Sequence, residues 1–256
     1  MRALENRVRS SDGRVGGRPL SSRVDRPLDL LFCFAVTHEA GPFRSWAQPR
    51  NGIEIFLTGI GVENARRSLR RRLEQGPRPA LIVSTGLAGG LAPDLQSGDI
   101  VFAERAHSGT ITHPFADAVR RFRHGRYYCA HHVLDAHEKR RIRVESGADV
   151  VEMESAAVEA VAGEFELDAL FVRVVLDPVD QELPLDFNAV SDSQMRVRIE
   201  RILPKLLAKP SRIPKLLQFK SQVDQCSRTL AQALRDCVTE ATPDQSTSPS
   251  PSVESK

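Results

Sequence analysis

The sequence has no apolar run long enough to span a bilayer: its longest, such as LLFCFAV (30–36), are far too short. Residues 1–27 have no apolar segment of the signal-peptide kind, which gives the expectation of a cytoplasmic chain. There is no CxxC: Cys33, Cys129, Cys226 and Cys237 lie far apart, which argues for reduced thiols and against a disulfide scaffold or a zinc site. GxGxxG is missing, and no GK[ST] follows the glycines at 86–90, so a nucleotide P-loop is excluded. His113, His124, His131, His132 and His137 form no HExxH or fixed carboxylate pattern, and His131 and His132 would face opposite sides of a strand, so no metal is expected. An excess of either sign of charge is lacking as well. With 36 Lys+Arg against 33 Asp+Glu the net charge is +3, which does not point to nucleic acid.

What is there suits one α/β domain. The 256 residues can bury a real core, and 41% are apolar. Residues 1–27 hold seven Arg and three acids among Gly and Ser, and read as a disordered basic tail. The Ser/Pro-rich stretch 239–256 reads as a second disordered tail, leaving 28–238 as the folded unit.

Within that unit strands and helices alternate. Strand-like runs fall at 28–36, 53–61, 80–90, 98–106, 127–134, 149–154 and 169–177, with 80–90 ending in a glycine turn. Helices are expected at 62–76, with Ala65, Leu69 and Leu73 on one face, near 136–146, and at 154–166. Two more are expected at 189–208 and 213–238. Val- and Ile-rich strands alternating with helices predict a three-layer α/β fold around a twisted, mostly parallel mixed sheet. Ligands of such sheets bind beyond the carboxyl ends of the strands. Those ends carry Glu39, the 86–90 glycines, Met153-Glu154 and Asp177. Each has a structural reading: Glu154 as a helix cap, Asp177 as the start of a turn.

Taken in order, TGIGVENA (58–65), STGLAGGLAPDLQSGDIV (84–101), ADVVEMESAAV (148–158) and FVRVVLD (171–177) resemble the purine nucleoside phosphorylase and nucleosidase superfamily over roughly residues 28–200. The resemblance implies cleavage of the N-ribosidic bond of a purine nucleoside, with no cofactor and with an assembly that is usually dimeric or higher, a homodimer being the expectation here. It implies that Glu154 grips the ribose hydroxyls, that Met153 packs on the sugar, and that Asp177 serves N7 of the leaving purine. Glu152, Gly86, Ala88 and Gly89 are implied as further substrate-binding positions. Leu176 beside Asp177 would help it keep a proton.

The acceptor is water or phosphate. FAVTHEA (34–40) places Glu39 where the methylthioadenosine/S-adenosylhomocysteine nucleosidases have the base that activates water, and Arg173 where they have an arginine. This favours hydrolysis and release of adenine. DPVDQELP (177–184) and the segment 206–234 instead resemble hopanoid-associated phosphorylases, for which the substrate would be adenosylhopane and the acceptor phosphate. Arg44 or an arginine of the 120–126 run would then supply the anion contact. Phe115, Phe122, Tyr127 and Tyr128 are the candidates to stack on the base, while Ile213, Leu216, Leu217 and Phe219 would cover an apolar substituent. A nucleoside-binding pseudoenzyme is the alternative from another class, suggested by Leu87 and Leu176 at positions that resemble polar ones.

Overall fold

A computed structural model describes residues 29–48, 50, 52–105, 115–190 and 213–241. Both expected tails lie outside these residues, apart from the first three positions of the second. In chain order the elements are β1 (Leu30–Phe34), α1 (Thr37–Ala47), β2 (Ile53–Leu57), α2 (Val62–Gln75), β3 (Leu81–Gly90) and β4 (Ile100–Arg105). There follow β5 (Arg123–His124), β6 (Tyr127–Cys129), α3 (Ala136–Ser146), β7 (Val150–Glu152), α4 (Ser155–Glu164), β8 (Ala169–Asp177), α5 (Phe187–Val190) and α6 (Ile213–Ala241).

The eight strands form one mixed sheet in the order β2-β1-β3-β8-β4-β5, with β7 on β3 and β6 on β7. Only β3–β7 and β4–β8 are antiparallel. Side chains of a strand alternate between faces, and both faces here are buried. Leu30, Phe32 and Phe34 pack with α1 and α6, through Phe43, Leu230 and Leu234. Leu31 and Cys33 pack on the other side with Leu69 and Leu73 of α2 and Val158 and Val161 of α4. This is why β1 reads as a continuous apolar run.

The structure corrects three expectations. The 86–90 glycines do not form a turn: β3 runs through to Gly90, paired with β8 up to Gly89↔Asp177 and with β7 at Gly89↔Val151. The register slips by one residue between Ala88 and Gly89, so the strand bends there without leaving the sheet. The run expected at 127–134 pairs only as Tyr127–Cys129. The last helix continues to Ala241, past the expected boundary at 238, and Pro214 sits in its first turn, where a missing N–H costs nothing. Of the helix expected at 189–208, residues 191–212 lie outside the described residues. Among the described residues no helix is long and apolar enough to cross a membrane.

Candidate active site

The carboxyl ends of β1, β3, β7 and β8 open onto a cavity of about 310 Å³. Its polar lining is Glu39, Glu152, Glu154 and Asp177 with Lys139 and His132. Met153, Ala88 and Gly89 also line it. Gly86 and Arg173 stand just behind this lining, paired opposite each other between β3 and β8. All nine residues expected at the site therefore gather around one space.

Glu39 comes from the first turn of α1 and is buried against β3. The Leu87 N–H points at its Oε1 from 3.4 Å, and Oε2 is buried with no hydrogen-bond partner. The glycine at 86 permits this approach, since a Cβ there would lie 3.2 Å from Oε2. Burial pushes the Glu39 carboxyl above the usual range, opposed by the Leu87 N–H and the Arg173 charge.

Arg173 is fully buried. Its Nη2 donates to Glu152 Oε2 at 2.9 Å and to Ser84 Oγ at 3.1 Å, while Nε has no partner. Glu152 Oε2 also accepts the N–H groups of Glu154 (2.9 Å) and Ser155 (2.8 Å), and Oε1 accepts the Ser155 hydroxyl. Glu152 therefore caps the start of α4. Glu154 makes no cap bond of its own, which frees its side chain for the cavity.

Glu154 Oε1 accepts the Gly61 N–H at 2.7 Å. Burial, and next the charge of Glu152, push its carboxyl up to about 8, with Arg173 opposing. The folded chain thus holds a proton that the unfolded chain releases in the ordinary carboxylate range. This group's contribution to stability is full below that range and is lost as pH rises toward about 8. Glu154→Gln is expected to flatten the fall of Tm with pH over this window, read by thermal unfolding at a series of pH values.

Asp177 closes β8 and is 6% exposed. Burial raises its carboxyl above the usual range, as the apolar neighbour Leu176 suggested, but a cation opposes the shift. That cation is Lys139 of α3, only 2% exposed and paired with Asp177 Oδ2. Sequence reasoning missed it. The signal was on α3 itself, whose buried positions are Lys139 and Ile142, one turn apart: an otherwise charged helix turns a lysine inward beside its single aliphatic anchor.

Other expectations resolve differently. Tyr127 is half-buried, its hydroxyl donating to the Val101 carbonyl at 2.6 Å with the Phe171 carbonyl 3.1 Å away, and Phe115 packs in the core against Phe32. Neither these two nor Phe122 and Tyr128 line the cavity; the aromatics that do are Phe187 and Phe219, with ring centroids 5.6 Å apart. Of the residues thought to cover a substituent, Phe219 reaches the cavity, while Ile213 and Leu217 are exposed. The arginines proposed for phosphate are elsewhere. Arg121 pairs with Glu240, Arg123 with Asp94 and Asp149, Arg126 with the Gly147 carbonyl, and Arg44 is not in the lining.

A family model described as the phosphorylase superfamily matches residues 49–139 and 110–208. Among solved structures, this chain is similar to a Helicobacter pylori futalosine hydrolase mutant, at 16% identity and a TM-score of 0.57, over 82% of this chain and 98% of that one. It is similar to an Arabidopsis thaliana 5′-methylthioadenosine nucleosidase, at 15% identity and TM-score 0.57, over 86% and 98%. It is also similar to a Helicobacter pylori methylthioadenosine/S-adenosylhomocysteine nucleosidase variant with 5′-methylthioadenosine in its active site, at 15% identity and TM-score 0.59, over 84% and 100%. These three share its fold.

Proposed function

This chain belongs to the phosphorylase superfamily and is an enzyme of N-glycosidic bond cleavage; we propose that it hydrolyses the N-ribosidic bond of a purine nucleoside or 5′-substituted adenosine, releasing the free base. The observation that carries the choice of water is Glu39. Its Oε2 has no protein partner, it lies against Gly86, and Arg173 behind it keeps the carboxylate form accessible. A carboxylate suits a general base for water and repels a phosphate dianion. The only Lys or Arg in the described lining is Lys139, already held by Asp177.

In this reading the sugar develops oxocarbenium character as the C1′–N9 bond breaks, and the bonding pair leaves with the base. Glu154 hydrogen-bonds the ribose 2′- and 3′-hydroxyls, its O–H donating to one and its carbonyl oxygen accepting from the other while it holds its proton, and Met153 packs on the ring. Asp177 gives its proton to purine N7, and Glu39 takes a proton from the attacking water. Bell-shaped pH dependence follows: Glu39 must be ionised and Asp177 protonated. Leu183, Phe187, Phe219 and Val223 give the cavity an apolar wall, which supports an apolar 5′ substituent, adenosylhopane included. A homodimer and a cytoplasmic location complete the proposal.

The test is release of base from adenosine, methylthioadenosine, S-adenosylhomocysteine and an adenosyl lipid, each with and without phosphate. Base and free sugar without phosphate are the expected products. Ribose 1-phosphate formed only with phosphate would make the enzyme a phosphorylase. Binding of these nucleosides without release of base would leave the pseudoenzyme.

A further inference from the structure

Lys139 is a buried cation that the reaction above leaves without a task. Three features are built around it. Helix α3 is fixed at its start by a capping box, in which the Asp135 carboxylate accepts the Glu138 N–H at 2.8 Å and Glu138 accepts the Asp135 N–H at 3.0 Å. The strand opposite makes room for it: a Cβ at Gly89 would lie 3.0 Å from Lys139 Cε and 3.2 Å from Nζ. The end of β8 receives it, since Nζ donates to Asp177 Oδ2, to the Asp177 carbonyl at 2.9 Å and to the Pro178 carbonyl at 3.3 Å. An ammonium has three N–H donors, so none is left for a substrate or an anion. Lys139 acts through Asp177.

Resting on the reading that Asp177 protonates the leaving base, we propose that Lys139 is its positioning residue. The ammonium holds Oδ2, leaves Oδ1 for the purine, and stabilises the carboxylate that remains once the Oδ1 proton has passed to N7. The balance is simple. The C1′–N9 pair goes to the base, the proton moves from Asp177 to N7, Asp177 becomes an anion, and Lys139 keeps its three protons. A buried acid with no cation beside it holds its proton too tightly to be a good donor, and Lys139 corrects that. The other titratable groups near Asp177 do not duplicate this role. Cys226 of α6 is a thiol that burial pushes up, and His132 at the cavity wall is paired with Glu138 at 3.0 Å.

The test uses Lys139→Met, similar in length and uncharged. With an adenine nucleoside, kcat is expected to lose a large part of the about 10²–10⁴-fold that a general acid supplies. The alkaline limb of the pH profile is expected to move up by about 1–3 units, because the opposing charge is gone. A 4-nitrophenyl riboside, whose leaving group departs without a proton, should be turned over as by the wild type. The Asp177 carboxyl band in infrared titration, assigned by difference from Asp177→Asn, should shift to higher pH in the variant. That readout needs no turnover, so it tests the Lys139–Asp177 coupling separately from the nucleosidase reading, while the split between the two substrates tests the role in proton donation. Gly89→Ala crowds the ammonium without removing it and should move the same titration upward by less, which keeps the test open if Lys139→Met does not fold. An unmoved Asp177 titration, or equal losses on both substrates, would reduce Lys139 to a structural tether and overturn the proposal.

Discussion

Asp177→Asn is expected to lower kcat for purine release by about 10²–10⁴-fold, since Asn can donate a hydrogen bond but cannot surrender a proton to N7. The loss should appear in kcat more than in KM, because the proton matters most as negative charge gathers on the base. The same substitution leaves the Lys139 ammonium buried without its carboxylate. Removing one partner of a buried ion pair costs about 3–5 kcal/mol, so Tm should fall as well at pH values where Asp177 is ionised. The two effects separate in the double variant Asp177→Asn with Lys139→Met. Removing both charges should restore most of the stability and none of the activity. If the single variant kept wild-type turnover, Asp177 would have no role at the base.

Glu39→Gln should be nearly as damaging to hydrolysis and gentle on the fold. Burial already disfavours the charged form of Glu39, so a neutral amide of the same shape relieves a penalty. We expect kcat to fall by about 10²–10⁴-fold with Tm unchanged or raised, measured side by side by base release and thermal unfolding. Substituting the water base should not impair binding of a nucleoside held at Glu154. Undiminished hydrolysis by this variant would assign the nucleophile to another group.

Much of this was legible in the sequence, for physical reasons. Leu30 to Phe34 are buried on both faces and so appear as a solid apolar run; Leu69 and Leu73 repeat at helical spacing and fall on one buried face. The carboxylates at strand ends were readable because an open sheet puts its ligands there. For Lys139 the sequence carried only half of the answer: its place one turn from Ile142 marks an inward position on α3, but its partner lies 38 residues away on another element. The base-stacking candidates failed for a related reason. An aromatic ring serves a core as well as a ligand: Phe115 went to the core, whereas Phe187 and Phe219 were left at the wall by the path of α5 and α6. The glycines looked like a turn because glycine is common in turns. Here they serve close approach, of Glu39 at Gly86 and of Lys139 at Gly89.

The course of β3 has a consequence for how this protein comes into being. Gly86 to Gly90 touch the strand that carries Arg173 and Asp177, the strand that ends in Glu152, the carboxylate of α1 and the ammonium of α3. None of those partners is near β3 in sequence. Pairing of this kind requires the closure of long loops, which slows folding. No fragment and no half-assembled sheet can hold the cavity, so the chemistry is confined to chains that have finished folding.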